Sequence, residues 1–123
     1  MIDASALLAM LQAESGADVV EVVVDRGAIS TVNWSEVHQR SAARGVNVSG
    51  LRADLEAVGL EILPFTVEEA EQAATLWPST RKLGLSLGDR ACLALAQRLG
   101  VPVLTGDRSW LELSLGVAIQ PIR

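Results

Sequence analysis

Apolar positions recur along this chain in two ways, at helical spacing and in short unbroken runs, and the two kinds of segment alternate. Residues 1 and 2 can start a very short strand that ends at Asp3. Residues 4–14 are rich in helix formers, with Leu7, Leu8, Met10 and Leu11 as a broad apolar stripe, and Ser15 and Gly16 stop them. Residues 18–25 are ambiguous: the valine run suits a strand, whereas Asp18 as N-cap and Gly27 just past the end suit a helix. Helix is favoured, because the next run, 28–32, must be a strand. Asn33 or Ser35 then opens a helix through about residue 43, ended by Gly45, with Glu36 in its first turn. A further helix, 49–58, carries Leu51, Leu55 and Val58 on one face and stops at Gly59. Residues 60–65 read as a strand. Thr66 caps a helix whose inner face is Ala70, Ala73, Ala74 and Trp77. Pro78 ends or kinks it, since proline removes a backbone donor and clashes with the preceding turn. Residues 79–83 form a bent connector.

The most regular unit is 84–110, which reads as loop, helix, turn, strand, loop. Ser86 is a good N-cap, and Asp89 stands three residues on, where a capping-box carboxylate belongs. Ala91, Cys92, Leu95, Ala96 and Leu99 share one helix face, and Gly100 closes the helix. Residues 101–105 fit a buried parallel strand, with Thr105, Gly106 and Asp107 at its end. A short helix near 109–113 and a last strand, 117–122, complete the pattern. Strands alternating with helices imply a parallel sheet covered on both faces, hence an α/β fold.

At 123 residues the chain suits a single domain, 1–123, large enough to bury a real core. No apolar run approaches a membrane span, and no secretory leader pattern stands at the start. The only cysteine, Cys92, falls on an inner helix face, so no internal disulfide can form and a cytoplasmic location is expected. One histidine and one cysteine exclude a zinc site built from those ligands. A formal charge of −5 argues against a broad basic nucleic-acid surface, although carboxylates concentrated at a metal site would distort that balance.

Asp3, Glu36, Asp89 and Asp107 share a placement. Two end predicted strands, two lie in first turns of helices that begin near strand ends, and in a parallel sheet all four fall along one edge. Carboxylates gathered there repel one another, and a cation relieves the repulsion. Hard oxygen donors select Mg²⁺ or Mn²⁺, ions that activate water and neutralise charge during phosphodiester cleavage. Each acid also has a structural role open to it: Asp3 as a cap, Glu36 at a helix dipole, Asp89 in a capping box, Asp107 as the cap of the next helix. Ser5 and Thr105 can orient a metal-bound water through their hydroxyls. His38 points away from Glu36 and suits a solvated surface. Trp34, Trp77, Trp110 and Phe65 suit core or interface better than base stacking, since aromatics are too few for a platform.

Ile-Asp-Ala-Ser-Ala-Leu at the start, Asn-Trp-Ser-Glu-Val around Glu36, Leu-Ser-Leu-Gly-Asp-Arg-Ala around Asp89 and Val-Leu-Thr-Gly-Asp-Arg at Asp107 resemble PIN domains, and more narrowly VapC-type toxin ribonucleases. The resemblance covers essentially the whole chain. It implies an α/β/α three-layer sandwich with a five-stranded parallel sheet, Mg²⁺- or Mn²⁺-dependent cleavage of RNA, a VapB-type antitoxin partner and a homodimer. It gives Asp3, Glu36, Asp89 and Asp107 the metal-ligand role, with Thr105 and Ser5 in support. Arg90 and Arg108, each beside a candidate acid, can contact phosphate or form surface salt bridges. Exposed apolar residues such as Trp34 or Trp110 are expected under the antitoxin. The competing readings are a non-toxin RNA-processing nuclease of the same fold and a catalytically inert PIN-like binding module. A signalling receiver domain fails, because Asp3 is followed by Ala4 and Lys82 precedes the fourth strand. No phosphate loop of the Walker type is present.

Overall fold

Side-chain alternation in very short strands sets the architecture of this computed structural model, which describes residues 1–123. β1 (Ala28–Ser30) pairs in parallel with β2 (Glu61–Leu63), and β3 (Val103–Thr105) pairs in parallel with β4 (Ile119–Pro121). The extended segment 1–3 joins the two pairs. The Ile2 N–H donates to the Ala28 carbonyl at 2.8 Å, the Asp3 N–H to the Leu104 carbonyl at 2.9 Å, and the Leu104 N–H to the Met1 carbonyl at 2.8 Å. Ile2 faces Leu104 as a parallel bridge. The order across the sheet is therefore β2, β1, segment 1–3, β3, β4, five extended segments in all.

Successive residues of these segments enter different cores. Ile2, Ile29, Leu104 and Ile122 join a cluster with Leu7, Val20, Val37 and Leu55. These last four come from α1 (Ala4–Leu11), α2 (Ala17–Glu21), α3 (Thr31–Ala43) and α4 (Leu51–Val58). Met1 and Val103 face the other way, toward Ala73, Leu93, Leu95 and Trp110. That second cluster draws on α5 (Val67–Thr75) and α7 (Leu87–Leu99), with the short α6 (Trp77–Thr80) between them. Helices thus cover both faces, the three layers of an α/β/α sandwich. α7 is buried without interruption from Ala91 to Ala96, as expected of a helix packed between the sheet and α5. No helix is long and apolar enough to cross a membrane.

Residues 18–25 are helical, as favoured, in the form of α2 and a 3-10 turn, Val24–Arg26; Gly16 rather than Asp18 stands at the start. α1 is shorter than the pattern suggested and ends at Leu11. α3 begins earlier than expected, because the Ser30 hydroxyl accepts the Val32 N–H at 3.2 Å and caps it. β1 accordingly stops at Ser30, and Glu36 lies in the second turn, not the first.

The inward face of α5 is Glu69, Ala73 and Leu76, while Ala70, Ala74 and Trp77 are exposed. The face rotates because Glu69 is drawn inside by Arg98, whose Nε donates to its carboxylate at 2.6 Å. Pro78 does not end a helix; it sits in the first turn of α6, where its missing N–H has no intrahelical partner to lose. Leu99 is exposed, since the inward face of α7 ends at Ala96. Trp110 is fully buried in the second core, so it cannot lie under a partner; Trp34 remains half-buried.

Candidate active site

Asp3 ends the central segment of the sheet and is 97% withdrawn from solvent, at 3% exposure. Its Oδ2 accepts hydrogen bonds from the Ser5 hydroxyl at 2.6 Å and the Thr105 hydroxyl at 3.1 Å. Its Oδ1 is buried and has no partner. Burial is the main force that pushes this carboxyl up to about 6. The Ser5 and Thr105 hydroxyls pull it down, while the charges of Asp89 and Glu36 push it further up. Three carboxylates from three different elements therefore share one electrostatic neighbourhood.

Local structure explains how each arrives there. Asp89 is the third residue of α7, and its Oδ2 accepts the Ser86 N–H at 2.9 Å, while the Ser86 hydroxyl accepts the Asp89 N–H at 3.2 Å. The capping box read from the sequence thus fixes the Asp89 side chain. Glu36 projects from α3 and meets Arg40, one turn on, at 3.7 Å. Asn33 locks the two helices together: it is fully buried, and its Nδ2 donates to the Gly88 carbonyl at 3.0 Å. A Cβ at Gly88 would stand 3.7 Å from Asn33 Nδ2 and 3.9 Å from Glu36 Oε2, so α7 begins against these two side chains. The Asn33 Oδ1 is a second buried oxygen without a partner. Read in sequence only as a helix opener, Asn33 becomes recognisable once the cap is placed at Ser30, because it then precedes Glu36 by three residues on the same helix face.

Asp107 is placed differently. Its Oδ1 accepts from the Ser109 N–H at 2.9 Å and the Ser109 hydroxyl at 2.7 Å, capping a 3-10 helix, Arg108–Glu112. The carboxylate is exposed and is not among the charges that shift Asp3. Its backbone is nevertheless tied to the site, since the Asp107 N–H donates to the Thr105 hydroxyl at 3.1 Å. Next to it, the Gly106 N–H donates to the Ser5 hydroxyl at 2.9 Å. Thr105 and Ser5 thereby connect Asp3 to the loop that carries Asp107.

Arg90 is half-buried, and its guanidinium donates to the Ala73 carbonyl at 2.9 Å, bracing α7 against α5. Arg108 donates to the Arg123 carbonyl at 3.1 Å. His38 is exposed and meets Trp34 edge to face.

No group of three or more Asp, Glu, His or Cys side chains is gathered tightly enough to chelate one ion as placed. Asp89 is held by its own cap and Glu36 by its own arginine. The donor set still fits a hard divalent cation. It consists of carboxylate and amide oxygens, and Asp3 Oδ1 is buried, unpartnered and in the field of two like charges.

A sequence model of the PIN domain family matches residues 1–114. A search of curated proteins finds no match. Among solved structures, a chain of a toxin–antitoxin complex from Klebsiella pneumoniae superposes with a TM-score of 0.75 at 20% identity, covering 99% of this chain and 96% of that one. DNA-bound VapBC from Salmonella typhimurium gives 0.69 at 17% identity, covering 100% and 97%. VapBC2 from Rickettsia felis, bound to a DNA fragment of its promoter, gives 0.68 at 14%, covering 98% and 96%. At these identities the likeness is one of fold.

Proposed function

The chain belongs to the PIN-domain family, and from that premise we propose that residues 1–123 form one domain acting as a metal-dependent endoribonuclease, a VapC-type toxin held in check by a VapB-type antitoxin. The observation that carries the reading is Asp3: a carboxylate buried at the end of the central strand, one oxygen unpartnered, facing the charges of Asp89 and Glu36. Such an arrangement costs stability, and a divalent cation is the group that repays it.

In this reading Asp3, Glu36, Asp89 and Asp107 hold Mg²⁺ or Mn²⁺. Bound there, the ion would activate a water and offset negative charge on the phosphodiester under attack. The chain's own residues do the positioning. Ser5 and Thr105 occupy Asp3 Oδ2 and so leave Oδ1 as the donor. The capping box orients Asp89, and Asn33 holds the start of α7 beside Glu36. Thr105 also fixes the backbone of Asp107.

The solved structures of like fold include VapBC complexes, which supports a VapB-type antitoxin as partner; a homodimer and a cytoplasmic site of action belong to the same proposal. The looseness of the acids supports one rival, an inert binding module of the same fold. Purified protein incubated with structured RNAs in Mg²⁺, in Mn²⁺ and in chelator separates the two. Cleavage that needs metal and is lost in Asp3→Asn and Asp89→Asn is the expected result; no cleavage in either metal would overturn the enzyme.

A further inference from the structure

Of the ten cationic side chains, three converge on a single cavity of about 350 Å³ on the flank of the acidic site. They are Arg40 from α3, Arg44 just past its C-terminal end and Arg123 from the segment after β4, and Ser5 and Gln12 line the same cavity. Ser5 is the residue whose hydroxyl donates to Asp3 at 2.6 Å, so the cavity opens directly beside the acids. Arg123 closes over the same loop: a Cβ at Gly106 would stand 3.0 Å from its guanidinium and 3.3 Å from the Ser5 hydroxyl. Glu36 and Arg40 stand one turn apart on α3 and Arg44 follows at its C-terminal cap, so the acid and the basic groove are joined along this helix and its end.

We propose that this groove is the seat of an RNA phosphate next to the scissile one, and that Arg44 is its principal contact. The three guanidiniums are not equally free. Arg40 meets Glu36 at 3.7 Å, and Arg123 donates to the Ser15 carbonyl at 3.1 Å and meets Glu14, which also lines the cavity, at 4.0 Å. Arg44 touches only a neutral group, donating to Gln12 Oε1 at 2.7 Å, so its charge is uncompensated. In a chain of net charge −5, three guanidiniums around one cavity at the mouth of an acidic site suit a polyanion that must approach carboxylates. A guanidinium fork also matches the paired oxygens of a phosphodiester. The groove would give the strand a direction, with the scissile phosphate at the acids and its neighbour at Arg44. Arg90 and Arg108 are committed to backbone carbonyls and are not needed for this contact.

This inference rests on the ribonuclease reading, and the experiment keeps the two apart. A fluorescent single-stranded RNA is titrated with wild type, Arg44→Gln and Arg123→Gln in Ca²⁺ across a salt series, and cleavage is measured in Mg²⁺ or Mn²⁺. Each phosphate neutralised on a single strand adds about −0.7 to the slope of log affinity against log salt, so the one phosphate seated in this groove accounts for about −0.7 of it. Arg44→Gln is expected to weaken RNA binding about five- to tenfold, flatten the slope by about 0.7 and raise KM more than it lowers kcat. Arg123→Gln is expected to do less. Both positions are exposed, and unchanged melting temperatures will show that the variants fold. Unchanged affinity, slope and KM in Arg44→Gln, with metal-dependent cleavage intact, would overturn the groove and leave the nuclease standing. An oligoglutamate peptide bound through Arg44 in place of RNA would overturn it in favour of an acidic protein partner. Failure of the wild type to bind or cleave RNA at all would overturn both.

Discussion

At the scale of single residues, Asp3 controls how stability responds to pH. In the folded protein its carboxyl is pushed up to about 6, above the ordinary range near 3.9, so between those values the native state binds the extra proton. The sign follows: in chelator, stability should fall as pH rises from about 4 to 6, by something on the order of 2–3 kcal/mol. Thermal melts of wild type and Asp3→Asn across that window check it, and only the wild type should carry this downward contribution. Asp107 poses the opposite question, because its observed work is a cap. Asn caps about as well as Asp, so Asp107→Asn should melt within about 0.5 kcal/mol of wild type in chelator. If the carboxylate also serves the metal, RNA cleavage by the same variant should drop sharply; full activity would remove Asp107 from the site. Asn33→Ala should lose the bond to Gly88 and weaken both folding and cleavage, since it removes a buried hydrogen bond that ties α3 to the start of α7.

At the scale of elements, one half-exposed ion pair ties α5 to α7, and one glycine lets the end of α4 pass close to Asp25. Glu69 serves α5 twice, as the far half of the Thr66 capping box and as the buried partner of Arg98 on α7. Removing the arginine would strand a carboxylate that is only 2% exposed. Because Arg98 itself is half in water, Arg98→Ala is expected to cost about 1–2 kcal/mol rather than the larger figure for a fully buried pair. A lower denaturation midpoint with an unchanged m-value would confirm it. Gly59, past the end of α4, has φ 127°, and an added Cβ would lie 2.2 Å from the Asp25 carbonyl oxygen. Gly59→Ala should therefore destabilise by about 2 kcal/mol or more, because backbone, not a flexible side chain, stands in the way.

For the whole molecule, binding of the proposed cation would be a folding equilibrium as much as a catalytic one. An ion held, as proposed, by Asp3, Glu36 and Asp89 would bind the native state and not the unfolded chain, so it should raise the melting temperature in proportion to the logarithm of its excess. Mn²⁺ is expected to stabilise the wild type more than Asp3→Asn or Asp89→Asn. Equal shifts in all three would mean that the ion binds elsewhere. On the proposed toxin reading, expression of the chain alone should arrest growth, and co-expression of a VapB-type antitoxin should relieve the arrest.

What the sequence determined by itself is local. Ser86 with Asp89, Thr66 with Glu69, Gly100 and the short apolar runs state their own structure, because caps, turns and periodicity act within a few residues. The same logic placed Asp3 and Asp107 at strand ends, since the residues that close a strand are read from the run before them. Tertiary structure alone decided the rest. The first helix face of α5 depended on Arg98, 29 positions away; the start of α3 depended on whether Ser30 ended a strand or continued it. Trp110 was assigned to the core by residues far from it in the chain, such as Met1 and Ala73, not by its own neighbours. The sequence supplied the acids, but only the fold decided that Asp3 is buried with one oxygen unpartnered, that Asp107 uses its carboxylate as a cap, and that Arg44 meets a neutral glutamine and no carboxylate. Burial and charge pairing are properties of what surrounds a side chain, and those surroundings come from residues far away in the chain.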